Sequence, residues 1–419
     1  MHKIKENALS SIRIDDLFLF TVFNLLLFQP FLERFSGFAG YIDEIAFLSL
    51  LLLTAISARS RKYGQFRRVD KVILVLVVVV ALLGIMGNYA AGVQLGLSPI
   101  LIDVLACFKV PLAFLALLRI VGGETGCRSI ERLLSLESVV LLWIMALLAL
   151  ASTFVEFGMS DDEVRYGMHA FHFLYEHPES VNFAAVSLLV MRMTSAPRSK
   201  AWIAAFVVAA LTLRTKAWCW IAVSLLILFL TTRSGKLKKR YIVLCFFVAV
   251  AVAWNQFAAV FSPEASEQAR NALLKAAVTI ATVFFPFGAG FATFGTAVTA
   301  TPAYYSPLYY QYDLSNVYGL SPTYPYFVCD SLWPAMLGEF GWIGLLLFFG
   351  IMLGMSFAVV VRSKGRSFLA PVLIGVTYLW ISSMAESVLF APSGLLLITA
   401  LGLCLGFDHD RQEAKCSLA

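Results

Sequence analysis

Four basic residues, Arg165, Arg214, Lys216 and Arg270, are the first candidates for chemistry, because they stand in short polar segments between hydrophobic runs. Guanidinium groups offer bidentate donors to phosphate oxygens and an ammonium offers a point charge, so cations converging from separate segments suit a diphosphate. Each arginine at the ends of this set also has a plain alternative. Arg165 can pair with Asp161 or Asp162, and Arg270 with Glu267 one helical turn earlier. Arg214 and Lys216 have no acidic residue nearby in sequence: Arg214-Thr215-Lys216 forms a tight turn between two apolar runs, and its charges need partners from elsewhere in the fold.

Two carboxylates are candidates for moving a proton. Asp330 and Glu339 flank the return of the chain into its last hydrophobic region, where either can act as general base towards a hydroxyl nucleophile. Asp330 equally suits the cap of a helix that begins near Ser331. Tyr304, Tyr305, Tyr309 and Tyr310, with more tyrosines following at Tyr312, Tyr318, Tyr324 and Tyr326, offer flat apolar faces carrying a hydroxyl. Such a surface suits sugar rings, and it suits lipid headgroups equally well.

His169, His172 and His177 share one segment, but no carboxylate or cysteine completes a typical ligand set. No metal and no other cofactor is expected from them. The seven cysteines show no CxxC or Cys/His spacing and read as packing residues. Gly288, Gly290 and Gly295 resemble a nucleotide-binding fingerprint only superficially, since no strand precedes them; they read as a tight turn with close backbone approach.

The elements that must position these residues are membrane helices. The chain of 419 residues is 60% hydrophobic and 14% charged, with mean hydropathy +0.82, far from the roughly 25% charge of soluble domains. A helix that crosses a bilayer needs about 20 mainly apolar residues, fewer where its flanks reach the interface. Candidate spans lie at 17–33, 41–58, 71–90, 99–118, 137–157, 181–195, 200–213, 217–232, 241–260, 336–361, 368–386 and 391–407. The expected fold is therefore an all-α integral membrane protein of about twelve transmembrane helices, with a large extracytoplasmic loop containing interfacial helices. Residues 1–260 form an N-terminal bundle of about nine helices with an outer loop at 158–180. Residues 261–335 form the large loop, and 336–419 the C-terminal helices and a short cytoplasmic tail.

Cytoplasmic loops retain Lys and Arg. With both termini cytoplasmic, 25 of the 32 basic residues lie on that side, in short clusters that read as topology signals and leave no nucleic-acid surface. The exceptions are Arg34, Arg165, Arg214, Lys216, Arg270 and Lys275 outside, and Lys109 within a span. A charge at that depth costs about 2.5–3.5 kcal/mol on the insertion scale. Asp103 lies on another face of the same helix, leaving Glu386 or a lipid phosphate as candidate partners for Lys109. The segment 264–285, with Leu273, Leu274, Ala277, Val278 and Ala281 at helical spacing, predicts a helix on the membrane surface that ends at Pro286-Phe287-Gly288-Ala289-Gly290. No cleavable signal peptide is evident before Pro30.

In this order and placement the motifs resemble the O-antigen polymerase and ligase superfamily. The matching stretches are Arg165-Tyr166-Gly167 with His177-Pro178, Leu213-Arg214-Thr215-Lys216-Ala217, and Arg270 followed by Pro286 to Phe291 and Phe294-Gly295. Asp330-Ser331, Gly338-Glu339-Phe340-Gly341, Gly344, Pro392 and Gly394 complete the set. The resemblance implies undecaprenyl-diphosphate-linked glycan substrates, among membrane lipids and with a chain-length regulator as a candidate partner. It implies metal-independent glycosyl transfer at the periplasmic face of a bacterial inner membrane, with Arg214, Lys216 and Arg270 holding the donor diphosphate. Ligases of this superfamily carry a histidine near the end of the large loop; this loop has none and has Asp330 there. That departure favours polymerisation of O-antigen or a related exopolysaccharide over a ligase acting on lipid A core. A transporter or flippase for an anionic or lipid-linked substrate is the alternative from another class, with Lys109 and Glu386 lining its path.

Overall fold

The computed structural model describes residues 14–56, 64–122, 128–234, 269–363 and 368–416. The predicted span 241–260, the first residues of the large loop and Glu267 lie outside the described residues. The helices are α1 (Ile14–Leu32), α2 (Ile42–Ile56), α3 (Arg68–Ala91), α4 (Leu97–Val121), α5 (Arg128–Ser152), α6 (Pro178–Ser195), α7 (Ala201–Leu211) and α8 (Thr215–Ser234). They continue with α9 (Ala269–Val283), α10 (Leu332–Ser363), α11 (Leu369–Ser383) and α12 (Pro392–Cys416). Each predicted span within the described residues coincides with one of them, the largest offset being α5, whose charged first turns Arg128 to Arg132 precede the apolar stretch.

Among the described residues six helices, α1, α2 (with the 3-10 turn before it), α3, α4, α5 and α10, are long and apolar enough to cross a membrane, and α7, α8, α11 and α12 contain shorter apolar segments. This fits a multi-pass membrane protein. α3 illustrates why: Ile73, Val77 and Val80 are buried against the protein, while Val72, Val75, Val79, Leu82 and Met86 are exposed although equally apolar. A helix apolar on its exposed face as well as its buried one is suited to lipid.

α6 and α12 sit at the centre, packed on each other; α12 also touches α4 and α1, and α6 touches α5, α7 and α11. A second group joins α3, α9 and α10. Within the described residues α9 ends at Val283, and three of the predicted apolar residues, Leu273, Ala277 and Ala281, pack with Ile280 in a separate core with Phe294, Tyr309 and Leu337, while Val278 is exposed. Charged residues fasten the opposite end of this group, where Arg362 at the end of α10 pairs at 2.6 Å with Asp70 at the start of α3.

The segment at 158–180 contains an antiparallel hairpin that hydropathy does not reveal. β1 (Ser160–Arg165) pairs with β2 (Met168–Phe171), with Arg165 opposite Met168. Tyr166 and Gly167 between them both have positive φ, 53° and 79°, as a two-residue type I′ turn requires. The segment that follows is tied down from two sides: Tyr175 donates to the Leu27 carbonyl at 2.9 Å, and Arg34 to the Leu174 carbonyl at 3.1 Å. Arg34 therefore serves as a strut between α1 and this segment.

Candidate functional site

Arg214 closes the turn between α7 and α8, and Lys216 follows it at the start of α8. Leu213 just before them has φ 52°, and the turn is anchored from below by Asn182 of α6, which donates to the Thr212 hydroxyl at 2.9 Å. Lys216 lies in the first turn of α8, where the exposed N–H groups make a cation unfavourable unless carboxylates attend it. Two do: Glu179 from the first turn of α6 at 3.3 Å and Glu386 from the α11–α12 loop at 2.7 Å. Arg214 reaches Asp161 of β1 at 4.0 Å.

Arg270 of α9 pairs with Asp330 at 2.6 Å, sixty residues away. Asp330 stands two residues before the start of α10 at Leu332. The Ser387 hydroxyl, next to Glu386, donates to the carbonyl of Cys329, next to Asp330, so the two carboxylates are held as neighbours. Arg270 feels Glu179 and Glu386 as well as Asp330, which makes these groups one electrostatic cluster. It is graded in depth, from Lys216, with 4% of its side chain exposed, to Arg270, with 44%. The cluster is a recess in the sense that it is buried at its Lys216 end and exposed at its Arg270 end.

Its charges are nearly balanced. Against the cost of burial, the Lys216 ammonium, with Arg214 behind it, holds Glu179 down at about 2. Burial pushes the neighbouring Glu386 up to about 8 against the pull of Lys216, with the Glu179 carboxylate adding to the push. At neutral pH Glu386 thus keeps its proton, and Arg214, Lys216 and Arg270 face Asp161, Glu179 and Asp330. An anion entering the recess meets cations already held in place and must compete with carboxylates for them.

A second buried network lies around the glycine-rich segment. Residues 288–296 are buried throughout yet form no helix. Irregular backbone at that depth is tolerated only if its polar groups find protein partners, and here seven successive N–H groups do. Ala289 and Gly290 donate to the Gly338 and Glu339 carbonyls at 3.0 and 2.8 Å. Phe291 donates to Asn88 Oδ1 at 2.9 Å and Ala292 to Asp103 Oδ2 at 2.7 Å. Thr293 and Phe294 donate to Glu339 Oε1 at 3.1 and 3.3 Å, and Gly295 to the Tyr309 hydroxyl at 2.8 Å. The segment fits into a break in α10 at Gly341, whose φ of 66° interrupts the helix and whose missing side chain admits the backbone of Pro286 to Gly288. Gly290, at φ 89°, lies against the backbone of Asn88.

The structure therefore separates the sequence candidates. Arg214, Lys216, Arg270 and Asp330 come together, and Arg165 stands on the hairpin arm that delivers Asp161. Glu339 is wholly buried and bound to the glycine-rich segment, away from that recess. Of the tyrosines, Tyr309 is committed to the core, stacked on Phe294 at 5.6 Å with its hydroxyl used by Gly295 and Thr299, so it cannot offer a face to a sugar. Tyr305 donates to the Leu320 carbonyl at 2.6 Å, Tyr304 is half-buried, and Tyr310, Tyr318, Tyr324 and Tyr326 are exposed. His169 bonds to the Asp161 carbonyl at 2.9 Å within the hairpin, and His177 precedes α6 as its N-cap residue.

Lys109 pairs with Asp43 and Glu44 of α2, so Glu386 is released from that assignment and belongs to Lys216. Sequence reasoning missed Glu179 as a member of the recess. The signal available was a carboxylate directly after His177-Pro178 at the start of an apolar run, with two cations elsewhere lacking partners. No protein-family model matches the chain, and no curated protein matches it in sequence.

Proposed function

We propose that this chain joins undecaprenyl-diphosphate-linked oligosaccharide repeats into O-antigen or a related exopolysaccharide at the periplasmic face of a bacterial inner membrane. The observation that carries this reading is the convergence of Arg214, Lys216 and Arg270, from segments distant in sequence, in one graded recess. All three are on the side that the charge bias would have left poor in cations. In the reaction an acceptor sugar hydroxyl attacks the carbon bearing the diphosphate. The new glycosidic C–O bond forms as the bond to the diphosphate oxygen breaks, and the diphosphate leaves with the electron pair. Lys216 and the two arginines stabilise that developing charge. Asp330, beside Arg270 at the exposed end, accepts the hydroxyl proton, and the exposed tyrosines Tyr310, Tyr318, Tyr324 and Tyr326 offer faces to the glycan.

The test is purified protein in liposomes loaded with lipid-linked repeat units. Longer lipid-linked products are expected, and Arg214→Ala or Arg270→Ala should reduce them by about 100-fold or more while the protein stays folded in the membrane. Translocation of the substrate without elongation, or an unchanged product ladder in both variants, would overturn the reading.

A further inference from the structure

Asp103 and Glu339 each spend one carboxylate oxygen on the glycine-rich segment, and the remaining oxygens are unexplained. Asp103 Oδ1 and Glu339 Oε2 are buried without a hydrogen-bond partner. Ligand atoms of Asp103, Glu339 and Cys107 all lie within 4.8 Å of one another. Cys107 is four residues after Asp103, so both project from the same face of α4. The Thr296 hydroxyl lies beside Asp103 and is directed to no other partner. All four side chains are buried. Two carboxylates this close together and away from water repel unless something positive lies between them. The one lysine of α4 does not supply it, because Lys109 is taken by Asp43 and Glu44.

We propose that Asp103, Cys107 and Glu339 form a binding site for a divalent cation of the zinc class, with the Thr296 hydroxyl as fourth donor. The donor chemistry selects the class. Four donors that include a sulfur suit zinc, whereas calcium and magnesium take six or more oxygens. Two carboxylates and a thiolate balance and exceed the metal's charge, and the thiol proton is released to solvent as the metal binds. The site is closed on all sides, as in structural centres, and it joins α4, α10 and the glycine-rich segment at the residues that already hold that segment's backbone. It is separate from the Arg270–Lys216 recess, so the metal holds the scaffold and takes no part in the proposed transfer. These ligands come from two helices and a loop distant in sequence, so no local spacing marks them.

The experiment is elemental analysis of the full-length protein purified in detergent and washed briefly with chelator, together with thermal unfolding. About one zinc per chain is expected. Cys107→Ser, which exchanges a single atom, should retain less than a tenth of it and unfold at lower temperature, with zinc no longer shifting its Tm. Glu339→Gln separates the metal from the other way of relieving two facing oxygens, a shared proton. Its amide keeps an acceptor for Thr293 and Phe294 and supplies the hydrogen that a shared proton would. Loss of zinc with a lowered Tm in Glu339→Gln supports the site. A metal-free wild type whose Tm is unmoved by added zinc overturns the proposal, and so does zinc that persists undiminished in Cys107→Ser. A Glu339→Gln protein as stable as the wild type assigns the pair to a proton and overturns it as well.

Discussion

The glycine-rich network and the Lys216 recess both bury carboxylates, and they use them in opposite ways. Around residues 288–296 the acids Asp103 and Glu339 accept from backbone N–H groups, and the result is a segment with a single arrangement. In the recess Glu179, Glu386 and Asp330 accept from side-chain cations, which rotate about several bonds and can exchange partners. Backbone donors cannot leave without unfolding the segment; ammonium and guanidinium groups can be claimed by a ligand. The first region is built to stay and the second to be competed for.

The largest effect should come from breaking the fixed region. Gly290→Ala places a methyl group against the Asn88 backbone at a φ of 89°, and should cost about 3 kcal/mol or more in thermal unfolding of the detergent-purified protein. Asn88→Ala follows. Asn88 donates to the Gln94 and Phe291 carbonyls and accepts from the Phe291 N–H, so its removal strands buried backbone groups at about 2–3 kcal/mol by the same measurement. Equal stability of either variant with the wild type would dissolve the contrast between the two regions.

In the recess, charge rather than packing should respond. Glu386 is held near 8 against an ordinary value of 4.5, so it is neutral at pH 7 and becomes an anion as the pH rises through about 8. Affinity for pyrophosphate, measured by calorimetry, should therefore fall by about tenfold across that titration, and Glu386→Gln should remove the dependence while retaining the affinity seen at low pH. The linkage to folding has the same sign. Between 4.5 and about 8 the folded chain keeps a proton that the unfolded chain has lost, so this contribution to stability declines as pH rises through that window. The smallest expected effect is at the periphery: Tyr310→Ala, at an exposed ring, should lower polymer yield only a few-fold, about 1 kcal/mol, and leave Tm unchanged.

Much of the fold is legible in the chain because hydrophobic length is a local property. The spans 71–90 and 99–118 appear as Arg68–Ala91 and Leu97–Val121, and the glycines expected to allow close backbone approach do so. The site was legible as a set of cations in need of partners, and less so as the partners themselves. Lys216 announces its need by lacking a nearby acid, yet its acids come from α6 and the α11–α12 loop. Glu339 was attractive as a base from its place at a re-entry into the membrane, and burial assigns it to the glycine-rich segment. The hairpin at Ser160–Phe171 escaped because Tyr166-Gly167 is a less familiar turn pair than Asn-Gly, and the strand beside it carries three acids in a row.

By itself, then, the amino-acid sequence determined an apolar helical protein whose basic residues fall mostly in short clusters between apolar runs, with a few exceptions that ask for an explanation. Helix length and charge bias follow from each segment's own transfer free energy, and neighbours need not be known to evaluate it. Only the tertiary structure decided which acid answers which base, because Coulomb and hydrogen-bond energies depend on distances between segments that sequence separation does not report. That is how Lys109 came to Asp43, Lys216 to Glu179 and Glu386, and Arg270 to Asp330.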